Sequence, residues 1–373
     1  MGSDKQKLSD SERIDRLRLI RTSDVGPRIF RQLLDRFGSA AAALDALPAL
    51  ARKSGKPGKY AIPSPETVHC EMRAAEAAGA QVVAPGEPGY PTLLAEIDDP
   101  PPLLYIRGDT HLFDRPAIAI VGARNASSHG RRLAAEIAAD LGAAGCIVVS
   151  GLARGIDGAA HAAALPTGTI AAVAGGIDIA YPPEHAALQA QIAENGVLVS
   201  EQPVGTTPTA RHFPARNRLI SGLSSGVLVV EAALKSGSLI TARLALEQGR
   251  EVFAVPGSPR DPRCRGTNDL LRQGAVLVES AADVLQAVAA QLAPRTAPKE
   301  KQRILQPPDP KADFPSDSAQ DRLIGLLGAT PTGVDELVRE CHMSAAAVRT
   351  ALLELELAGR IERHPGDRVS LVL

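Results

Sequence analysis

The chain has few aromatic residues. Phenylalanine, tyrosine and tryptophan together make up 3% of its 373 residues, and tryptophan is absent. Aliphatic side chains must therefore fill most of the core. Proteins that bind single-stranded nucleic acids by stacking every base need many aromatic side chains, so this composition argues against that class.

The chain also lacks a strong charge of one sign. Its formal net charge is −1, which gives no overall basic field, so a polyanionic ligand would have to bind to a local patch. The four cysteines lie far apart and form no CxxC pair. This spacing fits a reducing compartment and argues against a zinc site or a disulfide framework; the residues are Cys70, Cys146, Cys264 and Cys341.

Long apolar segments are absent as well. No run of about 18 apolar residues occurs, so no membrane-spanning helix is predicted. The first residues are charged and unlike a secretory signal, and we expect a cytoplasmic protein with no membrane contact. Metal-ligand clusters, a nucleophile elbow and the phosphate-binding loop G-x-x-x-x-G-K-S/T are also missing. We therefore expect no metal, no cofactor and no catalytic residue.

What the chain does have is a series of glycine-rich turns that follow short apolar runs. In an α/β sheet such turns gather at one edge, where helix N-termini offer unpaired N–H groups and the positive end of the helix dipole. This edge is therefore predicted to bind phosphate. The turns are Val121-Gly-Ala-Arg124, Ser150-Gly-Leu-Ala-Arg-Gly-Ile-Asp157, Ala174-Gly-Gly-Ile-Asp178 and Lys235-Ser-Gly-Ser238.

Residues 66–292 contain seven apolar runs of strand length without clean alternation, typical of strands buried on both faces of a parallel sheet. The runs are 117–121, 146–150, 170–174, 197–200, 227–230, 252–255 and 276–278. Helical stretches separate most of them, at 130–144, 157–164, 183–194, 216–224, 238–248 and 267–273. This alternation predicts βαβ units and an α/β fold with a doubly wound, mostly parallel sheet.

A helical segment and a linker flank this predicted sheet domain. Residues 1–65 are predicted to be helical, and the turn Gly26-Pro27 begins like a helix-hairpin-helix, a unit that often holds DNA phosphates. A small helical packing module is the alternative, and the pattern favours it. Residues 293–316 are rich in proline and have almost no apolar pattern, which predicts an extended linker.

Residues 317–373 are predicted to form a winged helix, with three helices and a hairpin around Pro365-Gly366-Asp367. The third helix, at 344–358, carries Arg349 as its only cation, against Glu354 and Glu356. Phosphate neutralisation dominates affinity for nucleic acids, and this helix supplies little of it. A protein-contact or regulatory module is therefore at least as well supported as DNA recognition.

Arg124 is the first candidate site residue. In the dinucleotide fingerprint G-x-G-x-x-G, the second glycine is where the pyrophosphate approaches. Here Arg124 stands at that position, two residues after Gly122. This argues against an NAD site and favours a fixed phosphate or a nucleic-acid backbone, with an arginine paired to a carboxylate as the alternative.

Two acidic residues follow other turns of this edge. Asp157 and His161 have i, i+4 spacing, and a structural cap is favoured over an acid–base dyad. Asp178 is likewise expected to brace neighbouring turns.

Basic side chains also cluster between Arg211 and Arg218. Arg216 and Arg218 are about 200° apart on a helix, so one is expected to face the cleft at the strand ends and the other a neighbouring helix or subunit. Lys235 is a point charge suited to a phosphate. Ser238 can cap the next helix, and Gly237 lets backbone amides approach an anion.

These residues resemble the DNA-processing protein A family (DprA/Smf). The matching motifs are Val121–Arg124, Ser150–Asp157 with His161, Gly176–Asp178 with Tyr181-Pro182, Ser200-Glu201, Phe213–Arg218, Val229–Ala232, Ser236–Ala242 and Phe253–Gly257. The resemblance implies an extended Rossmann-like domain with an N-terminal helical domain (SAM- or helix-hairpin-helix-like) and a C-terminal winged helix.

The resemblance implies a DNA-binding protein and not an enzyme. It implies that the chain protects incoming single-stranded DNA in natural transformation, loads the RecA recombinase and forms a homodimer through the Rossmann-like domain. Two positions depart from the family: Ala123 replaces a serine, and Pro183 replaces a basic residue that many members carry. The implied DNA-binding residues are Gly122, Arg124, Arg154, Arg211, Phe213, Arg216, Asn217, Arg218, Lys235, Ser236, Gly237 and Ser238.

A nucleotide-hydrolysing Rossmann-like enzyme of the phosphoribohydrolase type is the alternative. Enzymes of that class are similar to one another in a Pro-Gly-Gly-x-Gly-Thr loop with a catalytic glutamate. This chain instead has the turn Lys235-Ser-Gly-Ser238 with Glu231 nearby. Glu231 and Asp157 are the only candidates for a general base. A third alternative is a regulatory scaffold whose winged helix binds a partner protein.

Overall fold

The computed structural model describes residues 8–53, 60–292, 317–328, 330–341, 343–364 and 366–372. The predicted linker 293–316 lies outside these residues. The chain divides into two compact units, of which the first comprises residues 66–294 with the first nine residues, and the second comprises residues 10–65 and 295–373. The domain boundaries expected from the sequence stay predictions.

The described residues form fifteen α-helices, several short 3₁₀ turns and twelve strands. The helices are α1 Asp10–Arg21, α2 Pro27–Phe37, α3 Ala40–Lys53, α4 Pro65–Ala77, α5 Thr92–Ala95, α6 Ser128–Ala143, α7 Ile156–Ala164, α8 Ala186–Asn195, α9 His212–Gly222, α10 Gly237–Glu247, α11 Arg265–Arg272, α12 Ala281–Leu292, α13 Asp317–Leu326, α14 Val334–Glu340 and α15 Ala345–Leu357. The strands are β1 Gln81–Val83, β2 Leu104–Gly108, β3 Ala117–Val121, β4 Ile147–Ser150, β5 Thr169–Ala172, β6 Val197–Ser200, β7 Gly226–Val229, β8 Glu251–Ala254, β9 Val276–Leu277, β10 Thr332–Gly333, β11 Ile361–His364 and β12 Arg368–Leu371.

The first unit is built on one sheet with the strand order β1-β2-β6-β5-β4-β3-β7-β8-β9. The seven strands from β6 to β9 in this order are parallel, which confirms the predicted doubly wound sheet. Strands β1 and β2 are antiparallel and were not predicted. They are short, and exposed polar residues interrupt the apolar pattern at this end of the sheet.

Both faces of this sheet are buried. In β3, all five residues are buried, and alternate side chains point to opposite faces. Ala119 and Val121 pack in one apolar cluster, while Ile118 and Ile120 pack in another. Helices on each side therefore cover the sheet, which explains why the strand sequences lack alternation.

The second unit contains helices α1–α3 together with α13–α15 and a small sheet of order β10-β12-β11. The three C-terminal helices and the β11–β12 hairpin confirm the predicted winged helix. Helix α2 begins at Pro27 after Gly26 and ends at Phe37. The next residue, Gly38, caps the helix with a left-handed φ of 78°, as glycine allows. No helix among the described residues is long and apolar enough to cross a membrane.

Candidate functional site

A cleft lies at the carboxyl edge of the parallel strands. The chain leaves β3 towards β4 on one side, whereas β7 lies on the other side, and ligands of doubly wound sheets bind at such a change of direction. The loops after β3, β4 and β5 surround a cavity of about 340 Å³. Its lining residues are Arg124, Asn125, Gly151, Ala153, Arg154, Val173, Ala174, Gly175, Ile179, Tyr181, Pro182, Pro183, Phe213 and Arg216.

The Phe213 ring contacts two arginines and a second aromatic ring in this cleft. The Arg124 guanidinium carbon lies 4.9 Å from the centre of the Phe213 ring, and that of Arg216 lies 5.9 Å from it. The Tyr181 ring centre is 5.5 Å away, tilted by 52°. Arginines at these distances are attracted to the ring face, so one ring orients two cations.

Arg124 and Arg216 differ in how much of their charge is available to a ligand. Arg124 is exposed, and no carboxylate among the described residues pairs with it. Arg216 is only 5% exposed and donates from Nη1 to the carbonyl oxygens of Gly151 and Ala172, the latter at 2.9 Å. Arg124 can therefore meet an anion directly, while Arg216 holds together the loops after β4 and β5.

Asp157 balances the buried charge of Arg216. Its Oδ2 accepts hydrogen bonds from the backbone N–H groups of Gly151 at 3.2 Å and Ala153 at 3.4 Å. Burial raises the pKa of Asp157, and Arg216 opposes that shift. Burial also lowers the pKa of Arg216 to about 10, opposed by Asp157. Asp157 therefore has a structural role, but it braces the loop after β4 and does not cap α7, whose N-cap residue is Gly155.

Two glycines explain the motif Ser150–Asp157. A Cβ atom on Gly151 would lie against Arg216 Nη1 and 2.9 Å from Asp157 Oδ2. Gly155 has a φ of 79°, and a Cβ there would lie 2.7 Å from the Arg124 carbonyl oxygen. The loop after β4 can therefore pack on the loop after β3 only with glycine at these positions.

Two N–H groups at the start of α6, those of Ser127 and Gly130, are bonded within the protein, which corrects the expectation for this part of the edge. Glu231, at the end of β7, accepts hydrogen bonds from the Ser127 backbone N–H at 2.9 Å and from the Ser127 hydroxyl at 2.5 Å. The Ser127 hydroxyl in turn accepts from the Gly130 N–H at 2.9 Å. The protein's own carboxylate thus occupies the position where a dinucleotide phosphate would bind.

His161 is buried under the cleft and is not paired with Asp157. Its Nδ1 lies 2.8 Å from the Thr169 hydroxyl, and its Nε2 has no partner among the described residues. Burial lowers the pKa of His161 to about 3, so the ring is neutral at pH 7. The acid–base dyad that the sequence left open does not form in this structure.

The buried His161 predicts a pH dependence of stability. Its pKa in the folded protein lies below the ordinary value of 6.5, so the unfolded chain binds the extra proton and stability is lost as the pH falls through this window. His161 alone should lower the free energy of unfolding by about 1.4 kcal/mol for each pH unit between 6.5 and 3. Urea unfolding at pH 7 and pH 5 measures this loss. It should shrink in His161→Gln and persist in His129→Gln, a change at an exposed histidine; equal losses in both variants would refute the assignment.

Arg216 and Arg218 point to different surroundings, as their helical spacing predicted. Arg218 Nη2 pairs with Glu201 Oε1, and its Nη1 donates to the Asp99 carbonyl oxygen at 2.5 Å. The side chains of Arg218 and Glu201 are only 9% and 15% exposed. Arg218 does not line the cleft, and its role in DNA binding stays a prediction.

Other predicted site residues, before and on α9 and at the start of α10, do not line the cleft. Arg211 is exposed just before α9. Asn217 Nδ2 donates to the Gly237 carbonyl oxygen at 3.3 Å, and the Ser236 hydroxyl accepts from the Ser238 N–H at 3.4 Å at the start of α10. Lys235 is exposed in the same turn. The DNA-binding roles of these residues also stay predictions.

Gly122 and Asp178 have structural positions at the same edge. A Cβ atom on Gly122 would lie 2.6 Å from Ile156 Cγ1, so this glycine lets the loop after β3 pack on α7. Asp178 accepts hydrogen bonds from the Gly205 N–H at 2.9 and 3.1 Å, which confirms that it braces a neighbouring turn. The described residues contain no group of three or more side chains that could hold a metal ion.

Tyr181 and Glu184 were not predicted as site residues. Tyr181 is 44% exposed, and its ring contacts that of Phe213 at a tilt. Glu184 Oε1 pairs with Arg154 Nε beside the cleft. The sequence signal for Tyr181 was its place directly after the turn that follows β5. Glu184 had no comparable signal, since a glutamate in a polar loop is ordinarily exposed to solvent.

Comparisons with known proteins agree with this geometry. The family model described as DNA recombination-mediator protein A matches residues 81–289, the DprA-like N-terminal HHH domain matches 10–74, and the DprA winged helix domain matches 307–367. Protein Smf of Escherichia coli (strain K12) is 42% identical over 288 residues, which cover 76% of this chain and 75% of that protein. The DNA processing protein DprA of Bacillus subtilis (strain 168) is 47% identical over 200 residues, 53% of this chain and 67% of that protein.

Solved structures show the same fold. The X-ray structure of DNA processing protein A (DprA) from Streptococcus pneumoniae has a TM-score of 0.60 at 34% identity and covers 75% of this chain and 98% of that one. A structure of DNA processing protein A from Helicobacter pylori, concerned with its single-stranded DNA binding mode, has a TM-score of 0.52 at 33% identity, with 57% and 96% coverage. The family model covers more than half of the 373 residues, and the chain therefore belongs to the DNA recombination-mediator protein A family.

Proposed function

We propose that this chain binds single-stranded DNA by its sugar-phosphate backbone in the cleft at the carboxyl edge of the sheet. The observation that carries the proposal is the Arg124 guanidinium, exposed at the mouth of the cleft with no carboxylate partner among the described residues and held over the Phe213 ring at 4.9 Å. The single-stranded DNA binding mode of the Helicobacter pylori relative supports the same ligand.

In this mechanism each basic residue of the cleft has its own task. Arg124 donates hydrogen bonds to a phosphate, and its planar fork suits two phosphate oxygens at once. Arg216 keeps the surrounding loops and Phe213 in place without having to touch DNA. The exposed Arg154 lines the same cleft and adds a second cation.

The Phe213 and Tyr181 rings add a small apolar surface for one base. Stacking on an aromatic ring tolerates every base because each has a π-face. Two rings are too few to stack a long strand, so backbone contacts dominate. Binding should therefore be tolerant of sequence and weaken as salt rises.

We place this binding in DNA recombination, as the family name indicates. The chain is proposed to protect incoming single strands during natural transformation and to load the RecA recombinase on them, as a homodimer in the cytoplasm. Support for these finer roles comes from the family membership alone.

A hydrolytic enzyme of the phosphoribohydrolase type is less well supported. Both candidate bases are occupied: Glu231 accepts two hydrogen bonds from Ser127, and Asp157 accepts from two backbone amides beside the buried Arg216. These contacts give each carboxylate a structural role, in which it holds backbone or hydroxyl groups of its own chain. Incubation with nucleoside monophosphates would release free base if the protein were such an enzyme.

The direct test of the binding proposal is fluorescence anisotropy with a labelled oligothymidylate and with a duplex of the same length. The proposal predicts tighter binding of the single strand, because a flexible backbone can follow the cleft and present its bases to Phe213 and Tyr181. Equal or tighter binding of the duplex would contradict it.

Glu184 is expected to compete with DNA for Arg154. The Arg154–Glu184 pair lies beside the cleft, with side chains 63% and 47% exposed, so the contact is open to solvent and to a phosphate. Replacing Glu184 by glutamine should raise the affinity for single strands by about two- to fivefold at low salt, because it frees one cation for a phosphate. Anisotropy titrations of both proteins measure the difference.

Glu136→Gln is the matched control for this change. Glu136 pairs with Arg132 at 3.6 Å and is 61% exposed on α6, and neither residue lines the cleft. The same loss of negative charge there should leave the affinity nearly unchanged. An equal gain in both variants would mean that overall charge, and not Arg154, sets the effect.

A further inference from the structure

The third helix of the winged helix, α15, is apolar on two sides. One side packs into the winged-helix core through Val348, Ala351, Leu352 and Leu355. The other carries Leu353 and Leu357, four residues apart and 2% exposed each, which belong to the core of the helical layer formed by α1–α3. A winged helix that stood alone would need one apolar side on this helix, so the second side requires a partner.

Polar contacts accompany this apolar surface. Arg36 Nη2 of α2 pairs with Glu354 Oε1 of α15 at 2.8 Å, with side chains 20% and 13% exposed. The Tyr60 hydroxyl donates to the Leu357 carbonyl oxygen at 3.1 Å. That carbonyl belongs to the last turn of α15, where helices generally use groups outside the helix as donors to their carbonyl oxygens. Helix α2 and the segment after α3 therefore contribute one ion pair and one hydrogen bond to α15.

Little of α15 remains for contacts with DNA. From residue 351 to 358 no side chain is exposed, and Arg349 is the cation on the exposed part of the helix. In the wing, Arg363 pairs with Glu356 at 2.8 Å and with Asp367 at 3.3 Å, so its charge is already balanced. Arg360 and Arg368 are exposed at the β11–β12 hairpin. Affinity for duplex DNA depends on neutralised phosphates, and the cations of this domain lie on the hairpin and at Arg349, not on the buried half of α15.

We propose that the winged helix of this chain is a protein-docking module and that its partner is the chain's own helical layer α1–α3. Through α15, the winged helix packs on the N-terminal helices and holds them in place. It does not insert α15 into the groove of duplex DNA. This role is independent of single-strand binding in the cleft of the first unit.

Hydrogen exchange on the full chain tests the proposal. Arg36→Glu and Glu354→Arg each place two like charges at the contact, and each should accelerate amide exchange of residues 27–53 by about tenfold or more, because local opening becomes easier. The double variant restores an opposite-charge pair and should recover most of the protection. Glu354 also accepts from Gln320 Nε2 at 2.5 Å, so Arg36→Glu, which leaves the winged helix unchanged, decides the result if Glu354→Arg disturbs α15.

Arg349→Glu is the matched control, because it reverses a charge on the exposed part of the same helix. It should change neither the exchange of residues 27–53 nor the affinity for duplex DNA. Unchanged exchange in Arg36→Glu would overturn the proposal. So would a loss of duplex affinity in Arg349→Glu, or a gain of duplex affinity in Arg36→Glu, since either would make α15 a DNA-contacting helix. Single-strand affinity should be the same in every variant, which separates this test from that of the cleft.

Discussion

Replacing Arg216 by methionine is expected to lower the free energy of unfolding by about 3 to 5 kcal/mol. Methionine fills much of the same volume but leaves the buried Asp157 carboxylate without its positive partner. The carbonyl oxygens of Gly151 and Ala172 also lose their donor. Equilibrium unfolding in urea, followed by circular dichroism, measures the loss.

A second substitution separates the charge effect from the packing effect. Arg216→Met combined with Asp157→Asn removes the unpaired charge, and the double variant should be more stable than Arg216→Met alone. Arg243→Met is the control. Because Arg243 is 64% exposed on α10, this change should lower the free energy of unfolding only slightly. If Arg216→Met were as stable as the unchanged protein, Arg216 and Asp157 would not form the centre that holds the loops together.

Replacing Arg124 by alanine should weaken single-strand binding by about tenfold at low salt, because it removes one or two phosphate contacts and the cation on the Phe213 ring. The fold should be unaffected, since Arg124 is exposed. The affinity of Arg124→Lys should lie between those of Arg124→Ala and the unchanged protein, because lysine keeps the charge but loses the planar guanidinium group. Anisotropy titrations with an oligothymidylate measure all three affinities.

Arg132→Ala is the control for this prediction. Arg132 is 67% exposed on α6 and pairs with Glu136, outside the cleft, so its loss removes the same charge at a different place. Its affinity should stay close to that of the unchanged protein. An equal weakening by Arg132→Ala and Arg124→Ala would show that binding follows the total charge and does not depend on the cleft.

Much of the fold could be predicted because local patterns and tertiary structure agree. Strands such as β3 are buried on both faces, and their continuous apolar sequences indicate a parallel sheet directly. The antiparallel strands β1 and β2 lack such a pattern, because their sequences are short and partly exposed. Their pairing depends on residues far apart in the chain, which no local pattern records.

The docking of α15 on the helical layer shows another limit. The leucines at 353 and 357 were visible in the sequence, and their spacing is that of a buried helix side. The partner surface lies more than 290 residues away in the chain, at Tyr60 and in α2. Periodicity shows that a side is buried but does not identify what covers it.

The site residues that could be predicted from the sequence are those that follow the carboxyl ends of the parallel strands. Arg124, Arg154, Phe213 and Arg216 all line one cleft, since the carboxyl ends of parallel strands meet at the same edge. Helical spacing also predicted the different surroundings of Arg216 and Arg218. The contact of Glu231 with Ser127 was not predicted, because it joins the ends of two strands that are separated by about a hundred residues.

The salt dependence of single-strand affinity tests the central claim most directly. If phosphates are held by the cations of the cleft, the logarithm of the association constant should fall with the logarithm of salt concentration by about 0.7 for each phosphate neutralised. Arg124→Ala should make this slope shallower by about 0.7 for each phosphate contact that it removes. An affinity that stays flat from low to physiological salt, or an unchanged slope in Arg124→Ala, would contradict binding of the DNA backbone at this site.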